Sequence, residues 1–197
     1  FDRLGAGFAI SARDLDLRGA GDLVGEAQAG HMKLIGIDLY QHLFGRALHQ
    51  ARLEQEGDTL VDDWIPELHL ELGGCLPEEW IPETEVRLAL YARLARLDGV
   101  AALDLFESEL DDRFGAMPDQ ARRLLQVARI RTLARAADIR RIDAGPAAIA
   151  LTPYDRRRAK PAGDLVEKKG RWIAIESIAD PIERANRIEE LLDALIE

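Results

Sequence analysis

The chain has 197 residues, 47% of them hydrophobic and 31% charged, with a formal net charge of −10. That balance excludes a disordered polymer and predicts a packed domain, or a domain with part of another. The single cysteine, Cys75, excludes an internal disulfide, and four scattered histidines without zinc-ligand spacing predict no metal site.

No apolar run approaches the roughly 18–20 residues needed to cross a membrane, so no membrane contact and a cytoplasmic location are expected. Residues 54–85 hold eleven acidic side chains and no Lys or Arg, while the flanking stretches are close to neutral. Local charge rather than the overall balance therefore governs contacts within a Debye length of about 8–10 Å. The chain opens FDRLGAGF, without methionine, and reads as a piece of something longer.

In chain order, residues 11–17 suit a short helix capped by Ser11, which the glycines of RGAG end. A loop punctuated by Gly19, Gly21, Gly25 and Gly30 follows, and the apolar spacing from Met32 to about Glu54 predicts an amphipathic helix. Residues 57–63 are polar and acidic and predict a linker, dividing the chain into 1–57 and 58–197. ELHLEL at 67–72 alternates strictly and predicts a strand with Leu68, Leu70 and Leu72 inward, leaving His69 on the surface.

Helices are predicted over 83–97, 100–113 and 118–137, the last opened by a first-turn proline. IRRIDAGPAAIALTP predicts two strands about a turn at 143–146, and residues 171–176 a further strand. Residues 181–196 predict a closing helix with Ile182, Ile188, Leu191, Leu192 and Leu195 on one stripe. The expected fold class is α+β: a helical hairpin and loop, then a compact domain of about four helices and a small, mainly antiparallel sheet.

The glycine loop fails as a phosphate cradle. A P-loop needs Lys and Ser/Thr after its second glycine, where this chain has Glu26 and Ala27. A dinucleotide fingerprint is one residue too short for Gly19, Gly21 and Gly25, and its lead-in strand would be too charged. What remains is a stretch of bare backbone bearing Arg18 and Gln28, both able to make directional hydrogen bonds to phosphate or to another domain.

At Asp14, Leu15, Arg18, Gly19, Gly21, Gly25, Gln28 and Gly30 the stretch resembles the translocation (TRG) motif of two bacterial DNA translocase families. These are the RecG-like branch-migration helicases and the transcription-repair coupling factors. Beyond residue 60 only the second family is similar, through LPEEWIPETEVRLALYARLA and DRFGAMPDQARRLLQVARIR. The resemblance implies a parent protein that uses ATP and magnesium to move on double-stranded DNA, displaces stalled RNA polymerase and recruits UvrA.

It implies that Arg18 and Gln28 couple nucleotide state to movement, with Asp14 bracing the bend and Gly19, Gly21, Gly25 and Gly30 shaping it. For residues 58–197 it implies an autoinhibitory domain that masks the UvrA-binding module of the same polypeptide. Glu109 and Asp112, three apart on one helix face, would supply an acidic lock. The fragment itself is expected to be a monomer with no catalytic residues, no cofactor and no ATPase activity. An arginine-rich helix (Arg122, Arg123, Arg129, Arg131 and Arg135, with Arg140 and Arg141 beyond) leaves open a stand-alone DNA-binding module.

Overall fold

The computed structural model describes Tyr40, Gly45 and residues 64–155 and 164–196. Tyr40 and Gly45 are helical, in keeping with the helix expected over 32–54. The short helix at 11–17, the glycine loop and the linker at 57–63 lie outside the described residues.

Nine elements follow: β1 (Glu67–His69), α1 (Thr84–Leu94), α2 (Val100–Phe114), α3 (Asp119–Ala136), β2 (Ile139–Gly145), β3 (Ala148–Pro153), β4 (Val166–Lys168), β5 (Arg171–Ala174) and α4 (Pro181–Ile196). The strands form one sheet in the order β1-β2-β3-β5-β4. All pairs are antiparallel except β1 with β2, whose parallel pairing uses the three intervening helices as its crossover. This is the α+β class expected.

Helix α3 is the centre of the domain. Its Val127, Ile130, Leu133 and Ala134 join the sheet and α4 in one core, with Ile142, Leu151, Trp172, Ile188 and Leu192. Its Ala121, Leu124, Leu125 and Ala128 join α1 and α2 in a second, with Leu90, Leu94, Phe106 and Leu110. Each fully buried large aliphatic contributes about 1.5–3 kcal/mol, so a helix lined on two sides by such residues is held by packing.

The elements differ from the sequence reading in specific ways. The strand expected over 67–72 stops at His69, because Glu71 takes a left-handed backbone (φ 52°) and ends the ladder. Leu70 and Leu72 are nonetheless buried. Helix α1 stops at Leu94, where i→i+3 bonds from Arg96 to Arg93 and Leu97 to Leu94 tighten the chain before Gly99.

In β2 the pattern Ile-Arg-Arg-Ile breaks alternation. A register shift between Ile139 and Arg141 absorbs the extra residue, so both arginines face out and both isoleucines face in. Strand β4 was not expected; Lys169 and Gly170, at φ 53° and 75°, form the two-residue turn that joins it to β5.

Helix α4 has the bounds expected, and Asp180 caps it by accepting hydrogen bonds from the amides of Ile182 (2.7 Å) and Glu183 (3.0 Å). Ile182, placed on the buried stripe by periodicity, is exposed; Arg184 is buried there instead. Among the described residues no helix is long and apolar enough to cross a membrane.

Candidate interaction site

Glu109 lies midway along α2, facing α1. Arg93 of α1 donates to its carboxylate at 2.8 Å and approaches the other oxygen at 2.6 Å, and Arg113, one turn on, donates at 2.8 Å. The two guanidiniums also lie over rings of α2, Arg93 over Phe106 at 5.1 Å and Arg113 over Phe114 at 4.9 Å. The Arg93 hydrogen bond, joined by that from Arg113, holds the Glu109 carboxyl below the usual carboxylate range. Glu109 is thus already neutralised within the domain.

Asp112 is different. It is exposed on α2 and takes part in no ion pair or side-chain hydrogen bond among the described residues. Together with exposed Asp111 and Leu105, which is 74% exposed, it leaves α2 an acidic outer face with one apolar knob.

The arginine-rich stretch is not a free basic stripe. Arg122 donates to the Met117 carbonyl (3.0 Å), Arg129 to Asp104 of α2 (2.5 Å), and Arg131 is buried. Arg141 is paired with Asp143 at 2.8 Å and Glu67 at 3.3 Å. Only Arg140 of the two β2 arginines points out of such a pairing. Arg129, Arg131 and Arg141 are thus held within the domain rather than free for a DNA-binding face.

His69 is exposed at the sheet edge beside Asp143, its register partner. The Cys75 thiol is pushed up by burial and by the charge of Glu79, the opposite of what a reactive cysteine needs.

A family model described as the TRCF domain matches residues 70–163. The transcription-repair-coupling factor of Escherichia coli (strain K12) is 35% identical over 196 residues, covering 94% of this chain and 17% of that protein. The chain belongs to the transcription-repair-coupling factor family. The factor of Haemophilus influenzae is 37% identical over 147 residues (73% of this chain, 13% of that protein). That of Mycobacterium tuberculosis (strain CDC 1551) is 38% identical over 160 residues (77% and 13%).

Among solved structures, the C-terminal domain of a transcription-repair coupling factor shares the fold, with a TM-score of 0.53 at 19% identity. It covers 67% of this chain and 94% of that one. The chain therefore spans about one sixth of the length of its E. coli relative.

Of the residues that the TRCF resemblance singles out, Glu109 and Asp112 are on α2. Asp14, Arg18, Gly19, Gly21, Gly25, Gln28 and Gly30 lie outside the described residues. Three contacts escaped the sequence reading. One is the Arg93–Glu109–Arg113 knot, of which only the i,i+4 half from Glu109 to Arg113 had a sequence signal. The second is buried Arg184 with Glu71, and the third is Tyr40 in the helical core beside Arg131. Neither has a local pattern, since each joins residues far apart in the chain.

Proposed function

We propose that this chain is the part of an ATP-driven DNA translocase that links the motor to its regulation. In this reading residues 14–30 turn nucleotide-dependent motion into movement on duplex DNA, and the TRCF domain restrains the parent until it engages stalled RNA polymerase. The observation that carries the reading is continuity. The E. coli relative matches across 94% of the chain, so the translocation-like stretch and the TRCF domain occur together and in order in a protein of that name.

Arg18 and Gln28 are the coupling side chains, with Asp14 and the glycines Gly19, Gly21, Gly25 and Gly30 setting the bend. ATP and magnesium belong to the parent's motor, outside this chain. On the regulatory side Asp112 is the available half of the acidic lock. Glu109 positions α1 against α2 and contributes little net charge to a partner, because two arginines hold it. The masked surface would be the UvrA-binding module of the same polypeptide, and charge contacts suit a restraint that must be both selective and reversible.

The test uses the full-length parent. Arg18→Ala or Gln28→Ala should leave ATP hydrolysis largely intact and abolish polymerase displacement, whereas equal loss of both would overturn the coupling role. Asp112→Arg should raise affinity for UvrA; unchanged affinity would remove Asp112 from the lock.

A further inference from the structure

Tyr40 stands upstream of the domain in sequence but inside it in space. Its side chain is 2% exposed and belongs to the core formed by Leu76, Ile81, Leu90, Phe106 and Leu124. Arg131 of α3, equally buried, sits over the ring at 5.0 Å. Nearby, Gly45 faces the side chain of Ile65: a β-carbon built on it would lie 3.7 Å from Ile65 Cδ1. So Tyr40 and Gly45, both helical, both approach the domain from the segment that follows the glycine loop.

The chemistry of this contact is unusual for a permanent core. An aromatic buried among aliphatics is expensive to withdraw, because it leaves a cavity and loses its packing contacts. A buried guanidinium works the other way, since it regains hydration when the ring over it leaves. The ring face and phenol oxygen of Tyr40 supply part of what compensates the Arg131 charge. Withdrawing Tyr40 therefore exchanges a packed, charge-stabilised state for a hydrated one, with the two costs partly offsetting. An all-apolar socket has no such compensation.

We propose that Tyr40 is a releasable plug that fixes the upstream segment to the helical half of the TRCF domain, with Arg131 as its polar socket. The plug is a positioning contact: it sets where residues 14–30 sit relative to the domain. That consequence rests on the coupling role proposed above, while the plug itself does not.

The experiment is a spin-label distance measurement on residues 1–197. Cys75, the one cysteine, provides one label, and Gln41→Cys next to the plug provides the other. Tyr40→Ala should convert a narrow distance distribution into a broad one, and Tyr40→Phe should keep it narrow. Leu110→Ala, equally buried in the same core, should lower stability without broadening, which separates anchoring from general destabilisation. Equal distributions in the parent sequence and Tyr40→Ala would overturn the proposal, as would equal broadening in Leu110→Ala.

The same labels in the full-length parent, with its other exposed cysteines replaced, should broaden on adding a non-hydrolysable ATP analogue if the plug is released by the motor. A distribution insensitive to nucleotide but broadened by Tyr40→Ala would keep Tyr40 as an anchor and overturn its release by the motor, whatever the outcome for the coupling role of Arg18 and Gln28.

Discussion

Arg184 Nη2 lies 2.8 Å from Glu71 Oε2, joining the start of α4 to the turn after β1 across 113 residues of chain. The same guanidinium donates to the carbonyls of Ile178 (2.9 Å) and Ala179 (2.8 Å), and its side chain is 2% exposed while that of Glu71 is 65% exposed. The two partners are therefore not equivalent. Arg184→Ala empties a core position and strands two carbonyls, with an expected loss of about 3 kcal/mol or more. Glu71→Ala leaves the carbonyl bonds in place and removes a water-screened partner, with an expected loss of about 1 kcal/mol or less. Urea unfolding of the two variants distinguishes them; equal losses would mean that the carboxylate carries the contact.

The Glu109 knot predicts a pH dependence of defined sign. Its folded-state pKa is lowered from 4.5, chiefly by the Arg93 hydrogen bond. Its contribution is therefore present above the unfolded pKa and disappears as pH falls through the folded one. Glu109→Gln should be less stable at neutral pH and should lose less stability than the parent sequence below pH 4.5. Asp112→Asn should change stability at neutral pH little, because no side chain among the described residues holds that exposed carboxylate. Urea midpoints measured between neutral pH and the acid limb check both.

What the sequence disclosed and what it hid have a common physical cause. Periodicity located all four helices of the domain, and the Gly-Pro punctuation separated β2 from β3, because those signals are local. The turn itself falls at Pro146–Ala147 rather than over 143–146, since Asp143, Ala144 and Gly145 pair with β3. The early end of β1 was hidden, since alternation over ELHLEL continues in burial after the backbone has left the strand at Glu71. Ile182 is exposed where the stripe predicted burial, and Arg184 is buried instead, because a guanidinium with two carbonyls in reach can be buried, which no hydrophobicity pattern encodes. The Glu109–Asp112 face was legible as an i,i+3 pair, but the Arg93 contact that separates their roles spans two helices.

Gly74 sits flush against the backbone of α3. A β-carbon there would lie 2.5 Å from the Leu124 amide nitrogen and 2.9 Å from the Gln120 carbonyl, while the next residue donates its amide to that same carbonyl at 3.1 Å. Neither obstacle is a side chain that can swing away. Gly74→Ala should therefore destabilise by about 1–3 kcal/mol, as overpacking does. Gly73→Ala, where nothing lies within 4 Å, should be close to neutral. Thermal unfolding of the pair checks this, and a neutral Gly74→Ala would show that the loop can lift off α3.

Tyr40 gives the corresponding test at alkaline pH. Burial pushes its phenol up to about 12 from an ordinary 10.0, against the opposing pull of the Arg131 charge. The folded chain then holds that proton more tightly than the unfolded one. The associated stability is complete below pH 10 and is lost as pH rises toward 12. Tyr40→Phe keeps the ring and removes the titrating group, so its stability should fall less steeply than that of the parent sequence across this window. Parallel pH series of urea midpoints isolate the difference from lysine titration, which both proteins share. Coincident curves would place the Tyr40 hydroxyl in water and take it out of the core.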